Sequence, residues 1–341
     1  RVDAPLMGRA WSDDAPWDFY AMSEFNTIVN ISQSPADADV IYAGTDDGLI
    51  QVTEDGGATW RRVERLPGVG ARYFVNDIKA DLFDGDTVYV VVDDHKNGDF
   101  APYIYKSENR GRRWTRISNN LPDRHVLWRV VQDHVKPERM FVGAEFGVFF
   151  TVNGGGTWTK LKGGAPNIAF RDLAIQTREN DLVGATFGRS FYVLDDYSAL
   201  RDVTADALEN GSVLFPVRPA PWYVPKRGLG CGSNGCQSSN GDNFWVGKNP
   251  EFGALLTYYL AEDVQTAKEA RREEEKELEK ENEDVSFPSF ESLLDEQRED
   301  KPAIVFTVRD SAGAVVRRIE APAKAGFHRV AWNLRYPSLQ A

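Results

Sequence analysis

Cysteine, histidine and methionine are scarce in this sequence: two, four and three among 341 residues. Such poverty argues against a metal centre built from thiolates and imidazoles. The four histidines, at 95, 125, 134 and 328, fall at no ligand spacing, and no metal is expected. No phosphate loop, dinucleotide fingerprint or Ser-His-Asp motif is present, so no cofactor is expected either. No apolar run reaches transmembrane length, and no signal peptide is visible. Net charge is −12, but residues 262–300 hold sixteen acids against six bases. The remainder is close to neutral, which excludes the basic surface of a nucleic-acid binder.

What is present is an internal repeat. Thr53-Glu-Asp-Gly-Gly-Ala-Thr-Trp60, Ser107-Glu-Asn-Arg-Gly-Arg-Arg-Trp114 and Thr151-Val-Asn-Gly-Gly-Gly-Thr-Trp158 share Ser/Thr-x-Asp/Asn-x-Gly-x-Thr/Arg-Trp. The starts lie 54 and 44 residues apart, roughly one four-stranded propeller blade. Asp55, Asn109 and Asn153 can accept backbone hydrogen bonds a few residues ahead, and glycine supplies positive φ. Trp60, Trp114 and Trp158 would each open a strand and offer an apolar plate to the blade core. These acids read as pins for hairpins rather than as chemistry.

Short β-rich runs punctuated by Gly and Asp precede each motif. Val40–Gly44 and Leu49–Val52, Val88–Val92 and Tyr103–Tyr105, Met140–Gly143 and Val148–Phe150, and Leu182–Thr186 and Phe191–Leu194 are four successive pairs. Runs at 25–32, 74–79, 127–132 and 170–175 would add the first strand of each. The expectation is an all-β chain. It has four propeller blades, at about 23–66, 74–121, 127–163 and 169–206, within a propeller domain over 1–206. The fourth unit ends in Asp195-Asp196 without the Trp motif. Four blades, and a chain that starts at Arg1 without Met, suggest part of a larger propeller in a longer polypeptide.

Residues 207–250 read as a Pro/Gly linker. Within it, Cys231-Gly-Ser-Asn-Gly-Cys236 reads as a small disulfide loop in a periplasmic or secreted setting, or as two free thiols. Residues 251–341 read as a small β-sandwich with strands near 252–260, 303–308, 315–319 and 328–332. A charged helical insertion covers 262–300, with helices near 262–284 and 289–298.

The repeated turn resembles the Asp box of BNR-repeat proteins, a group that includes sialidases, xyloglucanases and sortilin (VPS10)-type propellers. Gly326-Phe-His-Arg-Val-Ala-Trp332 resembles the ending of the immunoglobulin-like sandwich of FlgD-type modules. Tyr42–Gly48, Gly143–Gly147, Gly184–Asp196, Asn249–Ala254 and Trp332–Pro337, taken in order, resemble large exported bacterial proteins labelled glycosyl-hydrolase-like. The resemblance covers nearly all of the chain outside 262–300.

Successive hairpin turns of a blade alternate between its two ends. The turns opposite the Trp motifs collect Asp46, Asp47, Asp93, Asp94, His95, Lys96, Asp99, Glu145 and Arg189. A glycosidase needs two carboxyls about 5–9 Å apart. Asp46 or Asp47 with Asp93, Asp94 or Glu145 could supply them. A sialidase would need three arginines, and only Arg189 is placed for that. Asp93–Asp99 lacks an EF-hand's third-position Asp/Asn and twelfth-position Glu. Two readings result. One is a non-catalytic exported scaffold that binds a protein partner, or the rest of its own chain, through this loop face. The other is a xyloglucanase-like hydrolase of polysaccharide.

Overall fold

In the computed structural model, residues 5–6, 9–10, 27–63, 65–204, 211–223 and 251–338 are described. The chain divides into two compact units, Arg1–Arg201 and Asp202–Ala341.

The first unit opens with a short antiparallel ladder, β1 (Pro5–Leu6) and β2 (Arg9–Ala10). Four antiparallel meanders follow. They are β3–β6 (Ile28–Gln33, Ile41–Thr45, Ile50–Thr53, Arg61–Arg62) and β7–β10 (Phe74–Ala80, Val88–Asp94, Asp99–Ser107, Thr115–Arg116). Then come β11–β14 (Leu127–Gln132, Met140–Ala144, Gly147–Thr151, Thr159–Lys160) and β15–β17 (Phe170–Gln176, Asp181–Thr186, Phe191–Leu194). The first strands of successive sheets lie side by side. Apolar cores fill the spaces between consecutive sheets. Tyr42 and Val90 share one, Val91 and Val142 the next, and Phe141 and Leu173 the third. These sheets are propeller blades, and β8 runs Val-Tyr-Val-Val-Val, wholly buried, because both of its faces are covered.

Each first strand carries a bulge at the same place. Val29, Asn76, Trp128 and Arg171 have no partner in the register across to the second strand. The residue after each bulge ties neighbouring blades together. Asn30 donates to the carbonyls of Val75 (2.8 Å) and Asn76 (3.0 Å). Asp77 accepts from Arg129 (3.0 Å) and from the Val130 amide (3.0 Å), and Arg129 reaches on to Asp172 at 2.7 Å. Burial pushes the Asp77 carboxyl up, against the pull of Lys79 and Arg129.

The Trp-ended turns join third to fourth strands and repeat one bonding pattern. The Asp55, Asn109 and Asn153 side chains accept from the amides of Thr59, Arg113 and Thr157, each at 2.8 Å. The hydroxyls of Thr53, Ser107 and Thr151 donate to the same acceptors. They accept in turn from the amides of Gly57, Gly111 and Gly155. Two consecutive residues in each turn have positive φ. The second is always glycine, whereas Arg110 takes the first place in one turn at +56°. Ion pairs to Asp37, Asp86 and Glu54 hold Arg110 there.

The three tryptophans differ. Trp114 and Trp158 are buried, and each joins the core shared with the preceding blade. Trp60 is 44 % exposed, which corrects the expectation that all three plate a core. A turn tryptophan packs on the blade before its own. Among the described residues no blade precedes that of Trp60.

Among the described residues the fourth blade has three strands. After β17 the chain enters a short 3₁₀ turn, Tyr197–Arg201, anchored to the third blade. The buried Asp133 carboxylate receives the Tyr197 hydroxyl at 2.6 Å and two Arg201 nitrogens at 2.6 and 2.8 Å.

In the second unit β18 (Ser212–Leu214), β19 (Ala254–Leu260) and β22 (Gly326–Trp332) form one sheet, and β20 (Ala303–Arg309) and β21 (Val315–Pro322) a hairpin. A stretch expected as linker thus holds a strand, which Tyr258, Tyr259 and Leu260 pair. The two sheets meet over Tyr258, Leu260, Ala321, Ile304, Phe306 and Val330. Between β19 and β20 lie α1 (Ala267–Glu281) and α2 (Phe290–Arg298). Thr266 and Glu269 form a capping box on α1. Arg271 bridges to Glu296 of α2 at 2.6 and 2.9 Å. Neither helix buries a residue, in keeping with its charged composition. Cys231 and Cys236 lie outside the described residues. No described helix is long and apolar enough to cross a membrane.

Candidate functional site

Antiparallel strands put the β4–β5, β8–β9, β12–β13 and β16–β17 turns at the end of the blades opposite the Trp-ended turns. The acids expected on that loop face are mostly bound to their own loops. Asp46 accepts from the Thr27 amide at 3.0 Å. Asp47 is buried and accepts from the Thr45 hydroxyl at 2.5 Å. Asp94, also buried, accepts from the Asn97 side chain. Asp99 accepts from the Ala101 amide at 3.0 Å and the Tyr103 hydroxyl at 2.6 Å. Burial, and then that bond to Asp99, push the Tyr103 phenol up to about 12.

Asp93 differs in meeting a histidine. It is 2 % exposed. One oxygen meets the His95 ring and the His95 amide. The other, Oδ2, is buried without a hydrogen-bond partner. A buried carboxylate oxygen left so is costly.

Three blades contribute to a continuous aromatic and cationic seam beside it. The His95 ring lies edge-on to Trp128, centroids 6.3 Å apart. The Trp128 indole donates to Glu145 at 3.1 Å. The Arg171 guanidinium stacks over Trp128 at 3.5 Å and lies 5.4 Å from the Phe187 ring. Such cation–π contacts contribute roughly 0.5–2 kcal/mol. Phe187 is 72 % exposed, so the seam ends in an apolar surface. Lys96 sits 5.3 Å over Phe74, and Arg189 is exposed in the β16–β17 turn.

The fold therefore brings His95 and Glu145 to one seam and leaves Asp46, Asp47, Asp94 and Asp99 in local turns. Trp128, Arg171 and Phe187 were not singled out from sequence. Trp128 and Arg171 occupy the bulge of successive first strands. Aligning the four first-strand runs exposes the position, as Val29, Asn76, Trp128 and Arg171. Among the described residues no group of three or more His, Cys, Asp or Glu could hold a metal ion.

No protein-family model matches the chain, and no curated protein matches it in sequence. Solved structures similar to it are β-propellers. YCF48 bound to D1 peptide is 18 % identical, with a TM-score of 0.38 over 51 % of this chain and 53 % of that one. The GH74 xyloglucanase from Xanthomonas campestris is 15 % identical, with a TM-score of 0.37 over 49 % of this chain and 29 % of that one. The Niastella koreensis GH74 enzyme is 16 % identical, with a TM-score of 0.39 over 74 % of this chain and 31 % of that one. The chain thus spans about half the length of the YCF48 structure and under a third of the GH74 structures.

Proposed function

We propose that the chain is a non-catalytic, exported propeller of the BNR and sortilin-like kind, which binds a protein partner through the loop face. The supporting observation is the seam His95–Trp128–Arg171–Phe187. It offers stacked aromatic and cationic groups from three blades, while most neighbouring carboxylates are bound within their own loops. Aromatic and arginine side chains dominate binding energy at protein interfaces. The second unit, an immunoglobulin-like module on this reading, and its acidic helices extend the scaffold.

The test is selection of peptides from a random display library on the purified chain, with Trp128→Ala and Arg171→Glu as counter-selections. Enriched peptides should bind the parent and lose at least tenfold in affinity to both variants. Enrichment that both variants retain would reject the loop face.

The hydrolase reading keeps one specific support, the unpartnered buried oxygen of Asp93 beside His95. It requires hydrolysis of a xyloglucan-type glycan that Asp93→Ala or Asp46→Ala abolishes. A glycan panel left intact by the chain disposes of it.

A further inference from the structure

Among the described residues the fourth blade lacks the strand that completes the other three, and a groove lies where that strand would run. β6, β10 and β14 each close a blade outside the third strand, whereas β17 pairs with β16 alone among the described residues. The residue just beyond each closing strand bonds back to the third strand in the same way. The amides of Val63, Ile117 and Leu161 donate to Ile50, Ile104 and Val148 at 2.8, 2.9 and 2.9 Å.

These residues are also what the next blade's turn rests on. Trp114 shares a core with Val63. A Cβ on Gly111 would meet Val63 at 3.5 Å, and one on Gly155 would meet Ile117 at 2.8 Å. Trp158 shares a core with Ile117 and donates its indole N–H to the Ile117 carbonyl at 2.8 Å. On the third member of the series, Leu161, no such turn lies among the described residues. With Val148, Leu173, Tyr192 and Leu194 it lines a groove of about 290 Å³ between the third and fourth blades. The groove is large enough for an indole, and mostly apolar in its lining residues. Beside it the outer edge of β17 pairs with no described strand, and Phe191 and Val193 are exposed.

We propose that this slot takes an extended segment of another polypeptide. The segment pairs antiparallel with β17 and seats a tryptophan against Leu161. The chemistry of the occupant is written in the three sister strands: a Ser/Thr-x-Asp/Asn turn, a tryptophan, then a Thr/Arg and basic pair (Arg61-Arg62, Thr115-Arg116, Thr159-Lys160). Backbone pairing along an exposed edge supplies affinity, and the side-chain slot supplies selectivity. This surface is separate from the loop-face seam and stands or falls independently of it.

The probe is a synthetic peptide copying residues 153–161, titrated into the full chain, beside the same peptide with its tryptophan replaced by alanine. Altering the peptide leaves the folding of the protein untouched. The parent peptide should bind at least tenfold more tightly than the alanine peptide. Binding should also slow amide hydrogen exchange at residues 191–194. Val193→Asp, at an exposed position, should weaken binding while the melting temperature holds. Equal affinity of the two peptides, or protection elsewhere than β17, would overturn the proposal. So would β17 amides already protected in the chain alone, which would show the slot filled from within. Concentration-dependent self-association that protects the same amides would assign it to a second copy and overturn it too.

Discussion

The indole of Trp158 donates to the carbonyl of Ile117 across 2.8 Å, fastening the turn of the third blade to the end of the second. Asn120 tightens the joint by accepting from the Trp158 amide at 2.7 Å and donating to its carbonyl at 2.9 Å. Trp158 is therefore a fastener between blades.

That role separates the tryptophans energetically. Trp158→Ala should destabilise the first unit by about 3–5 kcal/mol, because it empties a buried site. Trp158→Phe should cost about 1 kcal/mol for the lost bond, with a further packing loss. Trp60→Ala should lie within about 1 kcal/mol of the parent, since its ring is half in solvent. Urea unfolding of the three variants checks this. A Trp60 effect as large as that of Trp158 contradicts it.

The two left-handed positions of each turn make a second contrast. Gly154 has φ +67° with open space around it, and Arg110 shows that a side chain fits the equivalent place. Gly154→Asn should therefore be near neutral, within about 0.5 kcal/mol. Gly155 has φ +90°, and an added Cβ would strike Ile117. Gly155→Ala should cost about 1–3 kcal/mol. Thermal unfolding midpoints of the pair decide it.

The Thr59 hydroxyl, the Thr59 amide and the Thr53 hydroxyl hold the Asp55 carboxyl down at about 2, from an ordinary 3.8. Its contribution to stability is full above pH 3.8 and lost as pH falls through about 2. Asp55→Asn should be mild, because asparagine holds the same turn at 109 and 153. Asp55→Ala should be worse. Carboxyl NMR titration should also show the Asp55 value rising toward 3.8 when Thr59→Val removes the hydroxyl.

Much of the propeller was legible because each turn needs residues that few other structures demand. Glycine is required at the second left-handed position, an acceptor at Asp55, Asn109 and Asn153, and a plate at the end. The loss of the Trp motif from the fourth unit was legible too, as Asp195-Asp196 where it would stand; that its blade has three strands among the described residues was not. The seam was not. A bulge shifts one residue out of the two-residue period, so alternation alone could not show that Trp128 and Arg171 face the loops. Nor could composition show that Asp47 and Asp94 accept from Thr45 and Asn97, because an acidic turn reads alike whether its carboxylate is bound or free. β18 was hidden for another reason. A three-residue strand in a Pro-rich stretch has no pattern of its own and exists through its pairing with β19.

A buried ion pair anchors the turn that follows the fourth blade. Asp133 is fully buried and Arg201 nearly so, at 0 % and 12 % side-chain exposure. Burial alone would raise the Asp133 carboxyl, but Arg201, the Tyr197 hydroxyl and the Lys136 amide together carry it below its ordinary value. Its folded pKa thus lies under its unfolded one. The stabilisation is fully present above the ordinary carboxylate value near 3.8 and is lost as pH falls through the lower folded value. Asp133→Asn leaves the Arg201 charge buried without its counter-ion and should cost about 3–5 kcal/mol at neutral pH. Its stability should then fall less steeply than the parent's as pH drops below about 4. Proteolysis should cut the variant first after Tyr192 or Leu194, at the edge that the Tyr197–Arg201 turn anchors. Parallel acid titrations of the two proteins with the same slope, or a variant as stable as the parent at pH 7, would mean that another contact holds the turn.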